Sequence, residues 1–287
     1  DLDCMKSELA DALRAGAWGF TTSRTVHHMT PDGDPVASRL ANWSEVEELI
    51  GLMGELDSGV FQFVEDPPSD ADRAARDQQL AELAARSGVP FIIGATSGST
   101  RPLELIAATR SLGGTMTGMT HPRGIGTMSS FKSQLPFDTL PEWAQARADG
   151  QEVFFQRLRD PKTRLALIDV ARNAQYSATF GGEARPPVFE RMQVLESPVP
   201  PHRTVAEVAA ERGIDPVEAM VDLGLESNFE VFFVQTMSSF DEVAVVRSMK
   251  SPGTVMTFSD SGAHVSQMSD ASIFTHLLAY WDRERGE

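Results

Sequence analysis

The sequence predicts an α/β protein built on a mostly parallel sheet, and three observations carry that reading. Short apolar runs rich in branched and aromatic residues alternate with longer stretches of helical periodicity, the pattern of repeated strand and helix units. Glycines stand where such helices should hand the chain to the next strand: Gly88 before Val89-Pro90, and Gly113-Gly114 before Thr115. The composition, 41% hydrophobic and 23% charged over 287 residues, suffices for one large core or two modest ones and argues against disorder.

The elements follow in order. Leu2, Met5, Leu9, Ala12 and Leu13 keep the spacing of one buried helical face, which predicts a helix over 3–15. The apolar runs predict six strands, at 17–21, 60–65, 90–95, 115–119, 188–195 and 254–259. Helices are predicted between and after them at 45–57, 73–87, 102–112, 151–173 with a break at Pro161, 204–211, 215–226, 241–250 and 271–283. Ser44 three residues before Glu47, and Ser239 or Asp241 before Val243, are start signals for two of these. Trp18, Phe63, Met116 and Met119 are expected in the core. No repeat or linker divides the chain, so a single domain over 1–287 is expected. Two long stretches rich in Gly and Pro, 121–150 and 180–201, read as loops that cover a site.

A formal charge of -16, from 41 acidic against 25 basic residues, would repel a phosphate backbone, and no concentrated basic patch offsets it. Nucleic acid is therefore not an expected partner. No apolar run approaches the roughly 20 residues needed to cross a bilayer, and the acidic amphipathic start is unlike a signal peptide. The single Cys4 excludes an internal disulfide and suits a reducing compartment, so the expected location is the cytoplasm. A chain that opens without Met inside a helix, and closes on LLAYWDRERGE just past another, reads as an internal stretch of a longer protein.

In parallel α/β folds, reactive groups sit just beyond the C-terminal ends of strands. That rule selects Thr22, Ser23 and Arg24; Glu65 and Asp66; Thr96 and Ser97; Thr120, His121 and Arg123; Glu196; and Asp260 with His264. The strongest signal is TVMTFSDSGAHVSQMSD, in which an apolar strand ends in Asp260 and a turn of small residues leads to His264. An Asp there can bind a cation, act as general base on a water, or simply accept backbone hydrogen bonds in the turn. Arg24 can hold a substrate carboxylate in bidentate fashion or pair with Asp32 or Asp34. Glu65 and Asp66 can bind a cation or form a solvated edge, and His121 and Arg123 can contact substrate or brace their loop.

The segment SDSGAH resembles the last-strand motif of amidohydrolases, and LADALRAGAWGFTTSRTVHHMTPDGDPV resembles the N-acyl-D-amino-acid deacylase branch of that superfamily. The likeness continues through GVFQFVED, HPRGIG, LRDPKTRLALI and RTVAEVAAERGIDPVEAMVDL, which together span nearly the whole chain. It implies a TIM-like (β/α) barrel, present here as about six of its eight strand–helix units. It also implies zinc and metal-assisted hydrolysis of a linear amide such as an N-acyl-D-amino acid.

In that scheme Asp260 is the general base and a possible metal ligand, while Ser23, Arg24, His121, Arg123 and His264 contact the small-molecule substrate. The sequence departs from the family's ligand set. It has no His-x-His pair, since His27 and His28 are adjacent, and VFQFVED and PFIIGATSGS lack the strand-end histidines. Only Asp260 matches, so a complete binuclear zinc site is not expected from this chain alone. The alternative is a degenerate barrel acting as a non-catalytic binding or assembly module. An incomplete barrel exposes strand edges, which makes a homo-oligomer possible.

Overall fold

The structure is a computed structural model that describes residues 1–25, 28–30, 32, 34–65, 69–95, 99–124, 126–176, 185–197, 201–236, 241–257, 261 and 271–287. In chain order its elements are α1 (Leu2–Arg14), β1 (Gly19–Arg24), α2 (Ala37–Leu40), α3 (Trp43–Glu55), β2 (Val60–Glu65), α4 (Asp70–Ser87), β3 (Phe91–Gly94), α5 (Arg101–Ser111), β4 (Met116–Thr120) and β5 (Gly126–Ser130). There follow α6 (Pro141–Arg147), α7 (Gln151–Arg159), α8 (Pro161–Asn173), β6 (Met192–Val194), α9 (Val205–Arg212), α10 (Pro216–Glu226), β7 (Phe232–Thr236), α11 (Glu242–Lys250), β8 (Thr254–Met256) and α12 (Ile273–His276), which runs on as a wider π-helical segment, Leu277–Glu284. The class is α/β, as the sequence predicts. Contacts group the chain into two compact units, where the sequence suggested one domain. The first comprises Asp1–Arg123, Phe240–Phe258 and Ser272–Glu287, and the second Gly124–Ser239 and Ser259–Ala271.

The first unit holds a five-stranded, wholly parallel, open sheet in the order β1-β2-β3-β4-β8. Side chains alternate across it. Phe61, Phe63, Phe91, Ile93 and Met116 point to one face and are buried against Leu13, Val46, Ile50, Met53, Leu80, Leu83, Leu105 and Ile106 of α1, α3, α4 and α5. The opposite face carries a row running Thr21, Gln62, Ile92, Thr117 across the first four strands, with Val64, Met119 and Val255 beyond it. Val64 and Val255 stay 48% and 45% exposed. Gly118 lets β4 lie close to its neighbours, since a Cβ there would meet Ala95 Cβ and Ile106 Cδ1 at 2.8 Å.

Local signals explain the helices of this unit. Ser69 caps α4 by accepting from the Asp72 backbone N–H, and Gly88 ends it in the left-handed conformation with φ 72°. Asp241 caps α11 through the Val243 N–H, which decides between the two start residues the sequence offered. α3 begins at Trp43, ahead of the expected Ser44 signal, with Asn42 at the N-cap making no side-chain bond.

The second unit corrects two expectations. The stretch 121–150 is not a loop, because it contains β5, a 3₁₀ turn at Pro136–Thr139 and α6, whose Phe137 and Trp143 are fully buried. The strand expected at 188–195 shrinks to β6 and joins no parallel sheet. It pairs antiparallel with β7, which pairs antiparallel with β5, so six strands of one barrel are not what the chain forms. Aromatic contacts fill this core, with Phe155 stacked on Phe229 at 4.1 Å between ring centroids and the Trp143 indole donating to the Leu167 carbonyl at 2.9 Å. Trp18 corrects a third expectation. It is 90% exposed, not core.

Candidate functional site

The polar groups of the first unit gather at the C-terminal ends of its parallel strands, in two clusters. The first begins with register. Arg24 closes β1 opposite Glu65, which closes β2, and both side chains lie on the same side of the sheet as Phe61 and Phe63, the helix-packed side. Arg24 Nε is 3.3 Å from Glu65 Oε1, and Arg24 Nη1 donates to the carbonyls of Ala41 at 2.6 Å and Ser38 at 3.3 Å. From α4, Arg76 Nε donates to Glu65 Oε2 at 2.7 Å while its guanidinium lies 3.9 Å above the Trp43 ring. Glu65 is thus held between two guanidiniums, and Arg24 is spent on Glu65 and backbone carbonyls. Neither Asp32 nor Asp34 is its partner, and its fork lies on the helix-packed side of the sheet. Ser23 accepts weakly from the Thr25 N–H at 3.5 Å, and its carbonyl accepts from Ser38 Oγ at 2.6 Å.

The second cluster lies where β4 and β8 end side by side. The Thr257 N–H donates to the Thr120 carbonyl at 3.3 Å, and Thr120 and His121 are almost fully buried. The buried hydroxyls Thr120 Oγ1 and Thr257 Oγ1 have no hydrogen-bond partner among the described residues, a costly arrangement in a strand pair. Arg123 donates to Ser272 Oγ at 3.1 Å, and burial lowers its guanidinium pKa. Burial, and then the positive charge of Arg123, push the His276 imidazole below its ordinary range. His276 stacks on Tyr280 at 5.1 Å, and the Trp281 indole donates to the Pro122 carbonyl at 2.5 Å, tying the C-terminal helix to the end of β4.

Comparison with models of known protein families, with curated proteins and with solved structures gives no match. The assignment of chemistry therefore rests on the two clusters and the sequence motifs. Asp260, His264, Asp66, Thr96 and Ser97, and the neighbouring His27, lie outside the described residues. Glu196 is paired with Arg203, itself bound to Glu211, in the second unit. Among the described residues no three His, Cys, Asp or Glu side chains gather as metal ligands, and the strand-end carboxylate that is present, Glu65, is already neutralised. Sequence reasoning missed Arg76, Ser272, His276 and Thr257, which sit on helices or past strand ends without any motif. Among the described residues no helix is long and apolar enough to cross a membrane.

Proposed function

We propose that the chain contributes five neighbouring strands and their helices to a (β/α) barrel of amidohydrolase type, and that the protein hydrolyses the amide bond of N-acyl-D-amino acids or similar linear amides. The observation that carries the reading is the strand order. β1 to β4 succeed one another in the sheet in chain order with their helices on a single face, as in a barrel, whereas a doubly wound sheet reverses direction and covers both faces. β8 then takes the place beside β4, and Gly124–Ser239, the larger part of the second unit, is inserted between these two strands in the chain. The row Thr21, Gln62, Ile92, Thr117 would be an interior layer, and about three further strands would close the ring.

In this reading Asp260 takes a proton from the attacking water and passes it to the leaving amine, and His264 orients it. Arg123 binds the substrate carboxylate, a role Arg24 is poorly placed to share, and Ser23 and His121 line the approach. Zinc, which the resemblance implies, would polarise the amide carbonyl and lower the pKa of the attacking water; among the described residues no three His, Cys, Asp or Glu side chains gather to hold it. A reducing compartment, the cytoplasm, is the proposed setting, supported by the single Cys4.

The test is release of free amine from N-acetyl-D-amino acids by the protein and by its Asp260→Asn variant, with zinc added and with chelator. Turnover that the variant lowers by about a hundredfold or more supports the reading. The 287-residue chain alone, with about three strands of the ring lacking, is expected to be inert or nearly so, and a protein that carries the whole barrel yet is inert under both conditions rejects the reading. A second reading, a barrel that binds without hydrolysing, draws support from the Arg24, Glu65 and Arg76 cluster, where strand-end groups serve packing in place of chemistry.

A further inference from the structure

A cavity of about 120 Å³ opens at the C-terminal ends of β2 and β3, between those strand ends and the helices α4 and α5. Its polar lining is Glu65, Arg76 and Arg101, and its floor is apolar, with Phe63, Ile93 and Leu105 contributing. In a chain of net charge -16 this is a locally cationic spot. Three arginines, Arg24, Arg76 and Arg101, meet two carboxylates, Glu65 and Asp77. Arg101 reaches Asp77 through Nε at 2.7 Å and through Nη2, and Arg76 uses Nε for Glu65 and Nη1 for Gln79. Arg76 Nη2 and Arg101 Nη1 have no hydrogen-bond partner among the described residues.

We infer that this cavity is a binding site for a short-chain monocarboxylate, whose anionic end meets Arg76 and Arg101 and whose apolar tail lies on Phe63, Ile93 and Leu105. Size, charge and polarity each narrow the ligand class. The volume is several times the roughly 30 Å³ of one water, enough for a few heavy atoms but not for a long acyl chain. A guanidinium fork matches a carboxylate in geometry as well as charge. Glu65 on the same wall repels a second negative charge, so a dianion such as hydrogen phosphate is disfavoured against a monoanion. The apolar floor favours butyrate over formate by the burial of its methylenes, at about 0.8 kcal/mol each. The site stands independently of the hydrolytic reading, because neither Asp260 nor Arg123 takes part.

The test uses the 287-residue chain and titrates it with sodium butyrate, formate and phosphate at constant ionic strength, by calorimetry and by backbone amide shifts. Two variants separate the cavity from general charge. Leu105→Trp enlarges a side chain of the apolar floor, on the helix-packed side where the cavity lies, and touches no ion pair. Arg101→Gln removes one of the two cations. The expected result is saturable butyrate binding, at least about fivefold tighter than formate, with shifts centred on β2, β3 and the start of α5 and at least tenfold weaker binding in both variants. No saturation by butyrate overturns the inference. So does equal binding of butyrate, formate and phosphate, or butyrate binding that Leu105→Trp leaves unchanged while circular dichroism shows that variant folded.

Discussion

Arg24 and Glu65 close neighbouring parallel strands in register, with Arg24 Nε 3.3 Å from Glu65 Oε1 on the helix-packed side of the sheet. Glu65 also accepts from Arg76, and all three side chains are at most 18% exposed. Removing the carboxylate leaves two poorly solvated guanidiniums facing each other. Glu65→Gln should lower the unfolding free energy by about 2–3 kcal/mol, because breaking a buried pair costs more than the pair contributes as a whole. Urea denaturation measures this. A loss no larger than that of a surface pair, under about 1 kcal/mol, would mean that water screens the cluster.

That pair also marks how far the sequence could be read. Both residues were selected as lying at or just past the ends of predicted strands, and alternation alone puts them on one face once the register is known. Arg76 was not legible, because its position depends on how α4 lies across the sheet. The parallel units were legible from local features, such as Gly88 at the end of α4 and Asp241 at the start of α11. β5 and β7 were not. β5, Gly-Thr-Met-Ser-Ser, has little strand propensity, and its state is set by pairing with Phe232–Thr236. The turn into β7 rests on Asn228 and Phe229 at positive φ, which no turn signature announced. Asp260 and His264, the clearest motif in the sequence, lie outside the described residues, so the site is legible there only as sequence.

Arg123 and His276 are coupled by charge. Burial first, and then Arg123, hold the imidazole below its ordinary pKa, so the unfolded chain binds its proton more readily than the folded one. The contribution of His276 to stability is therefore complete above the unfolded pKa and is lost as pH falls through the folded one. Arg123→Gln should raise the His276 midpoint towards 6.5, read from the imidazole C–H shift in a proton NMR titration. An unchanged midpoint would show that burial acts alone.

Asp138 titrates in the opposite sense. Burial raises its carboxyl pKa, and this outweighs Arg147 at 3.1 Å and the bond from the Leu135 N–H at 2.9 Å. The folded protein then holds the proton more tightly than the unfolded chain. Stability from this group is full below the unfolded value of 3.8 and falls as pH rises through the folded value. Asp138→Asn keeps the acceptor for Leu135 and cannot ionise. The stability difference, wild type minus variant, should therefore shrink as pH rises across that window, measured by urea unfolding at a series of pH values. A difference that grows would mean that the pairing with Arg147 dominates.

Gly224 opposes helix propensity to packing. Alanine in the interior of α10 should gain about 1 kcal/mol on propensity alone. Its Cβ, however, would lie 2.4 Å from Phe131 Cε2, and Phe131 is fully buried among Phe229 and Phe233. Overpacking of this kind costs about 1–3 kcal/mol or more, so Gly224→Ala should be net destabilising by about 1–2 kcal/mol. A thermal midpoint above that of the wild type would show that the Phe131 ring can move aside.

The uncovered face of the five-stranded sheet gives the last prediction. Parallel sheets ordinarily have both faces buried, because every crossover returns over the sheet and the strands are apolar on both sides. Here Val64 and Val255 remain about half exposed beside Met119, and the outer edges of β1 and β8 carry backbone groups with no neighbouring strand among the described residues. Such a face and such edges favour association with another copy. The 287-residue chain should therefore sediment with a concentration-dependent average mass and bind a hydrophobic dye. A Val64→Lys, Val255→Lys double variant, which charges the face without entering the helix-packed core, should reduce both signals. If the wild type sediments as a monomer at every concentration and binds no dye, the face is covered in solution and the open-sheet argument for a barrel loses its physical basis.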